Sequence, residues 1–225
     1  MSLKLLPLIA LAVLGLWLAY RLAQSTRLRT TSRAAYFDSV QSLFSGGEKR
    51  IEPTGFPRMS GRREDLAFDL QAVPDTLTFR KLPALWVMVT LTERLPLTAT
   101  LDLMARPSGN EPFTRFASLP QSLPALPGLS TEVAIRCDDA RALPPADLLT
   151  RHARLFDDPT VKELVLSPKG LRIVILAEEA DRGRYLIFRE AEMGMTPLAT
   201  HRLIPLLDRL AAIRKDVLAL AKDPV

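Results

Sequence analysis

The chain offers few side chains suited to nucleophilic or metal chemistry: one cysteine, Cys137, and two histidines, His152 and His201. A cysteine nucleophile needs a neighbouring base that generates its thiolate, and His152 follows Cys137 closely enough in sequence to approach it. One hypothesis is therefore a hydrolase in which one of these residues meets a carboxylate. Neither HExxH nor HxH occurs, and a lone cysteine can form neither an internal disulfide nor a cysteine-based zinc cluster. The sequence predicts no metal site.

Acidic pairs and phosphate-binding patterns add little to that hypothesis. Asp138 and Asp139 are typical of a turn with exposed side chains, and Asp158 before Pro159 is typical of a capped turn. The segment SGGEKR at 45–50 lacks the GxxxxGK[ST] spacing of a phosphate-binding loop, and the GxSxG elbow of serine hydrolases is absent. The sequence therefore predicts no catalytic set and no cofactor, and it favours a non-catalytic protein.

An unbroken apolar run at residues 5–20 lies between Lys4 and Arg21. Crossing a bilayer takes roughly 20 apolar residues in a helix, and flanking basic side chains extend the span by reaching the headgroups. We interpret the run as a single transmembrane anchor. The alternatives are a buried soluble helix and a cleaved signal peptide, although no small-x-small cleavage site follows the run. The predicted anchor residues are Leu5, Leu8, Leu11, Leu14, Trp17 and Tyr20, of which the last two suit the membrane interface.

Positive charge is concentrated just after the apolar run. Arg21, Arg27, Arg29 and Arg33 precede the first acidic residue, whereas Lys4 and the amino terminus are the only cations on the other side. By the positive-inside rule, this asymmetry predicts an anchor in the inner membrane with the C-terminal body in the cytoplasm.

The role of these arginines beyond topology is open. Together with Arg62 and Arg63, they could attract anionic headgroups at about 1 kcal/mol each, or dock acidic loops of a partner. Alternatively, the first four only set the topology, which leaves Arg62 and Arg63 unexplained. Nucleic-acid binding is not indicated, because it would need a basic face on a folded element with stacking aromatic residues.

The 225 residues divide into three segments by composition. Residues 1–24 are the predicted transmembrane anchor, and 25–63 are a basic juxtamembrane helix followed by a linker rich in glycine, proline and charge. Residues 64–225 are a soluble domain large enough for a sizeable core. The proline-rich segment 107–130 is the boundary if this body contains two domains.

Alternating apolar and polar residues predict strands in the first part of the body. Strands are expected at 66–71, 76–80, 85–92 and 97–103, which would form a four-stranded meander with Asp102 on the polar side of its last strand. Another strand is expected at 131–137.

Helical periodicity and turn signals describe the remaining segments. Residues 36–44 and 148–156 carry helical stripes, and a hairpin is expected at 163–176 around the turn Ser-Pro-Lys-Gly. The run YLIFR at 185–189 predicts a strand, and an amphipathic helix is expected from Thr196 to near the C-terminus. The chain is therefore predicted to be α+β, with a transmembrane helix, a mostly antiparallel sheet and a C-terminal amphipathic helix.

These expectations favour a membrane-anchored accessory, assembly or scaffold subunit that docks on another membrane protein complex. An energy-converting complex is one such partner, by analogy only. The predicted docking surface is the proline-rich loop, since long loops are often functional. The alternatives are a module that senses a lipid or small ligand, and a membrane-tethered hydrolase. The predicted docking residues in the loop are Phe113, Phe116, Leu123 and Leu126.

Overall fold

One antiparallel sheet organises the body in the computed structural model, which describes residues 5–76, 82–125, 133–188 and 191–222. In these residues the sheet has nine strands in the order β1-β2-β3-β4-β9-β8-β5-β7-β6. The strands are β1 Ser45–Ile51, β2 Pro57–Arg63, β3 Leu66–Asp75, β4 Ala84–Leu91, β5 Leu101–Ala105, β6 Gln121–Leu123, β7 Val133–Cys137, β8 Val161–Ser167 and β9 Gly170–Glu179. The predicted α+β class with an antiparallel sheet is confirmed.

Helices flank the sheet at both ends of the chain. The first, α1, covers Leu5–Ala34 and continues past the apolar run as predicted. Two short helices, α2 at Ala146–His152 and α3 at Arg182–Phe188, precede the long α4 at Thr200–Lys222. Within the described residues, α1 is the one helix long and apolar enough to cross a membrane.

The main core lies between the sheet and α4. The helix packs on the central strands β4 and β9, so that its apolar stripe is removed from water. It begins at Thr200 and not at the expected Thr196, and Pro205 lies on its exposed side within the helix. The buried residues of α4 are Leu203, Leu206, Leu207, Leu210, Ile213 and Val217.

The opposite face of the sheet carries a smaller core under the segment that joins β5 to β6. Phe113 and Phe116 from this segment pack with Met104 and Val174 from the sheet. Both faces of β5 are therefore buried, and its five residues lack the expected polar side. Because β5 and β7 pair with each other, the proline-rich segment lies over one continuous sheet.

Residues 46–63 were expected to be a linker, and this is wrong, because they form β1 and β2. Composition misled here, since glycine, proline and charge are typical of loops. In β2 the buried positions Pro57, Met59 and Gly61 alternate with more exposed polar ones, as in an amphipathic strand. Of these three inner residues, only Met59 has a long apolar side chain.

The predicted meander is also wrong in its last step. Strand β4 pairs with β9, while β5 pairs with β7 and β8. The expected strand at 97–103 is shorter and later, at Leu101–Ala105, and the expected turn at Pro74 and Asp75 is part of β3. The expected strand at 76–80 lies outside the described residues except for Thr76.

Two further predictions differ in type. The run from residue 185 belongs to α3 and not to a strand, and the helical stripe at 36–44 is a 3-10 helix at Asp38–Leu43. Short apolar runs fit either state, which explains the first error. The hairpin β8–β9 confirms the prediction at 163–176, and the helix α2, which continues as a 3-10 helix at Ala153–Asp157, confirms the one at 148–156.

Candidate functional site at the helix junction

From Ile9 onward, where the structure describes its side chains, the apolar half of α1 makes no buried contact with the body. Leu11, Leu14, Trp17 and Tyr20 are all more than half exposed, and none of the apolar window of the helix is buried. The side chains of Leu5 and Leu8 lie outside the described residues. A buried soluble helix, one of the three interpretations, is therefore wrong. The length and composition of α1 suit a membrane span.

An aromatic cluster joins the end of α1 to the body. Tyr36 and Phe37 follow the helix directly and are fully buried. The ring of Tyr36 meets that of Phe56 edge-on, with their centroids 5.9 Å apart, and the guanidinium of Arg33 lies 5.4 Å from the centroid of the Phe56 ring. The backbone N–H of Leu198 donates to the carbonyl of Tyr36 at 2.8 Å. Contacts from three parts of the chain, two made by side chains and one by the backbone of Leu198, thus fix the orientation of α1 at its base.

Buried polar groups complete this junction. The hydroxyl of Tyr36 hydrogen-bonds to Glu178, and burial together with the negative charge of Glu178 raises the pKa of Tyr36 above its ordinary value. Glu178 also accepts the backbone N–H of Gly194 at 2.8 Å. A Cβ at Gly194 would lie only 2.4 Å from Phe56, so glycine permits the close contact.

The structure separates the predicted arginines into two groups. The first group lies within α1 and consists of Arg21, Arg27, Arg29 and Arg33. Arg21 lies over the ring of Trp17 at 5.5 Å, and Arg29 faces Glu192 at 4.0 Å. These four can act together near a membrane surface.

Arg62 and Arg63 lie at the far end of β2, about 20 Å along the strand from the Phe56 junction. Arg63 pairs with Asp208 at 2.9 Å, and Arg62 donates to the backbone carbonyl of Asp65. They belong to the structure of the body and are not brought together with the α1 arginines.

The predicted docking residues of the loop are mostly buried. Phe113 packs on Trp86 with ring centroids 5.0 Å apart, and Phe116 lies under Arg136. Leu123 is half-buried, and Leu126 lies outside the described residues. The two phenylalanines therefore hold the loop to the sheet. The loop's exposed side forms an open groove of about 470 Å³, lined by Gly109, Glu111, Thr114, Arg115, Phe116, Ala117 and Ser118.

Hydrogen bonds and an ion pair hold the residues at the base of this groove in place. Glu111 accepts the N–H and hydroxyl of Ser108 and pairs with Lys162 at 3.1 Å. Although burial alone would raise it, these bonds hold the pKa of Glu111 down at about 2. Lys162 also donates to the carbonyl of Arg106 at 2.6 Å. The groove is therefore preformed.

A buried acid pair lies beneath the same loop, where sequence reasoning placed no site. Asp102 on β5 and Glu163 on β8 hydrogen-bond to each other, and the hydroxyl of Thr114 donates to Glu163. Burial, followed by the charge of Glu163, raises the pKa of Asp102 to about 8, so the pair holds a proton at neutral pH. Arg172 is the nearby cation that opposes this effect. The sequence does show a charged residue, Asp102, between the apolar residues Leu101 and Leu103. The same pattern is expected when such a side chain faces water, so the sequence did not indicate that Asp102 is buried.

The candidate nucleophile and bases are engaged in separate interactions. Cys137 is buried beside Gln121, and burial raises the pKa of its thiol, which disfavours a thiolate. His152 bonds through Nε2 to Asp216 at 3.0 Å, and His201 is exposed near the start of α4. His152 thus meets a carboxylate, that of Asp216, in a contact that ties α2 to α4.

Replacing Asp216 with asparagine is expected to lower the pKa of His152 below its value in the unchanged protein. Burial already lowers that pKa, and the hydrogen bond and charge of Asp216 oppose this effect. Removing the charge leaves the lowering by burial less opposed. NMR titration of the histidine ring measures the change, with the resonances of His201 as an internal reference. A rise in the pKa of His152 would contradict the assigned contact.

Comparisons with known proteins assign no family. No protein-family model and no curated protein matches the chain. Two chains of solved structure match, among them the crystal structure of the mycobacterial trehalose monomycolate transport factor A, TtfA. That protein is 10% identical, and the match covers 84% of this chain and 94% of that chain with a TM-score of 0.39. A similarity this weak carries no argument about this protein. The class of the present protein is therefore described by its own fold: in the described residues, an α+β body that follows one helix able to span a membrane.

Proposed function

We propose that this protein is a non-catalytic accessory, assembly or scaffold subunit, anchored in a membrane by α1 and docked on another membrane protein. The observation that carries the proposal is the buried junction at Tyr36, Phe37 and Phe56. It fixes the body to a helix whose apolar half is free to enter a bilayer. A body held in this way presents its surfaces at one orientation to neighbouring membrane proteins.

The arginines after the apolar run support one topology of this anchor. Their excess on the C-terminal side of the span favours an anchor in the inner (cytoplasmic) membrane with the body in the cytoplasm. Retention of residues 1–24 is part of the proposal, and the intact mass of the protein extracted from membranes distinguishes an anchor from a cleaved signal peptide.

The chemistry of the buried residues favours binding over catalysis. The thiol of Cys137 has a raised pKa, and His152 serves an interhelical contact. An enclosed apolar cavity beside His152 has a volume of about 10 Å³, which is too small for a lipid chain. The open groove along the loop is more suitable for a segment of another protein, since its volume is in the range of ordinary binding clefts.

The groove is the proposed partner contact, and Ala117 tests it. This residue is exposed and lines the groove, so Ala117→Arg should obstruct the partner without disturbing the core. Ala212→Arg places the same side chain on an exposed position of α4 and is the matched control.

Native membranes solubilised in mild detergent are expected to yield the protein in a larger complex on a native gel or size-exclusion column. Mass spectrometry identifies the proteins that travel with it. Ala117→Arg should remain in the membrane with an unchanged unfolding midpoint but lose the partner, whereas Ala212→Arg should keep it. If the unchanged protein migrates alone, near its own mass plus detergent, the stable-subunit function is wrong. If both variants keep the partner, the groove is not the contact.

A further inference from the structure

Exposed apolar side chains are unevenly distributed over the body. Outside α1, the large apolar residues that are strongly exposed within the described part of the chain are Ile51, Leu186, Ile187, Met195 and Leu220. Single exposed apolar residues are ordinary, but several at one end of a protein indicate a contact surface. Ile51 and Met195 lie in segments that contact the base of α1, and Leu186 and Ile187 lie on the short helix that precedes Met195 in the chain, whereas Leu220 lies near the distant end of α4.

Contacts place the segment after α3 beside α1. Glu192 faces Arg29 at 4.0 Å, and a Cβ at Gly194 would lie 3.3 Å from the side chain of Arg33. Met195 follows directly and is 46% exposed. α3, which carries Leu186 and Ile187 at 56% and 73% exposure, ends shortly before Glu192. Met195 is therefore near the point where α1 enters the body, and Ile187, five positions before Glu192 in the chain, lies within about 18 Å of Glu192.

The turn between β1 and β2 reaches the same place. Ile51 pairs with Pro57, and the adjoining Phe56 lies against Arg33. A Cβ at Gly55 would lie 4.0 Å from the Arg33 side chain. Ile51 is half exposed at this turn. We call Ile51, Leu186, Ile187 and Met195 the apolar rim.

The length of α1 brings the rim close to a bilayer surface. A span of about 20 residues from Leu5 ends near Gln24. The ten remaining residues of α1 extend for about 15 Å, and a headgroup layer occupies about 5–7 Å of this. The level of Arg29 therefore coincides with the outer edge of the headgroups, and the ordinary tilt of such helices, about 20°, lowers one side of the body further.

We propose that the apolar rim rests on the lipid surface of the same bilayer that α1 spans, with Arg27 and Arg29 on anionic headgroups and with the side chain of Arg21 extended outward to reach them. The proposal rests on α1 being a membrane span, as in the proposed function. The sequence of α3 and its next residue, RGRYLIFR, combines arginines with apolar and aromatic residues as interfacial helices do. Continuity with the span and this charge favour lipid as the occupant over a second protein. The body is then held at the membrane by two contacts, the span and the rim.

Fluorescence quenching in proteoliposomes tests the contact in the full-length chain. An environment-sensitive probe is attached at Ile187→Cys in a Cys137→Ala background, since Cys137 is the only native cysteine. Leu220→Cys is the matched control, because it is exposed and lies about 30 Å along α4 from Thr200. Vesicles contain phosphatidylglycerol and a lipid spin-labelled near its headgroup.

Quenching at residue 187 is expected to be severalfold stronger than at residue 220, and to fall when phosphatidylcholine replaces phosphatidylglycerol. The additional changes Leu186→Ser and Met195→Ser should weaken it, while the protein still floats with the vesicles. Flotation with equal, weak quenching at both positions overturns the rim contact and leaves the anchor intact. Protection of residue 187 that appears only when the co-isolated partner is added also overturns it, because the rim then binds protein. Failure to float removes the anchor and, with it, the proposed function.

Discussion

Replacing Asp102 with asparagine is expected to increase the free energy of unfolding by about 1–3 kcal/mol at pH 8. Asp102 is 3% exposed and Glu163 is fully buried, so two ionised carboxylates at this place are unfavourable. Asparagine keeps the shape of the side chain and can donate an N–H to Glu163 at every pH. The variant thus reproduces the protonated form of the pair permanently.

The pH dependence gives this prediction its sign. An unfolded aspartate has a pKa of about 3.9, whereas the pKa of Asp102 in the folded protein is raised to about 8. Between these values the folded state binds more protons than the unfolded state, so stability falls as the pH rises. The contribution that the protonated pair makes to the free energy of unfolding is fully present below about pH 4 and is lost as the pH rises through about 8. The advantage of Asp102→Asn should therefore be small at pH 4 and largest at or above pH 8.

Denaturation by urea at pH 4, 6 and 8 measures the effect in detergent-solubilised full-length protein. Asp147→Asn provides the control, because it makes the same exchange at an exposed position of α2 and should change the stability by only a few tenths of a kcal/mol. Destabilisation by Asp102→Asn at pH 8 would contradict the shared proton. It would mean that Asp102 is ionised and held by Arg172.

The acid pair also marks the limit of the sequence analysis. The alternation around Asp102 predicted an outward-facing side chain, and the residue does lie on the face opposite α4. That face is buried because Phe113 and Phe116 cover it. No local pattern could indicate that a loop rich in proline would return over the sheet, so the partner of Asp102, Glu163 on the later strand β8, could not be foreseen.

Local signals were reliable where the structure itself is local. The extent of α1 and the hairpin β8–β9 depend on nearby residues, and both were predicted. β2 was missed because Gly61 occupies one of its inner positions, where a Cβ would lie 2.7 Å from Phe44. A glycine that is buried because its neighbour leaves no room for a side chain does not contribute to an apolar sequence pattern. The same holds for Gly194 at the junction of α1 with the body. There the ring of Phe56, from the turn between β1 and β2, leaves no room for a Cβ.

At that junction, Gly194→Ala is expected to destabilise the protein by about 2–4 kcal/mol. Gly194 has a φ of +75°, which is unfavourable for alanine, and the new Cβ would lie 2.4 Å and 2.8 Å from two carbons of the Phe56 ring. Phe56 is fully buried and contacts both Tyr36 and Arg33, so it has little room to move. The strain should loosen the attachment of α1 as well as lower the stability.

Gly109→Ala separates the two causes of that loss. Gly109 has a φ of +83°, but a Cβ there would meet no atom within 4 Å, so the variant carries the backbone strain alone, about 1 kcal/mol. Denaturation by urea compares the two variants, and hydrogen exchange reports the amides of residues 33–37. Gly194→Ala should lose more stability and exchange these amides faster, because displaced Phe56 no longer packs on Tyr36. Equal losses, with unchanged exchange at the base of α1, would mean that the ring contact does not hold the helix to the body, and the fixed orientation on which the docking proposal depends would be wrong.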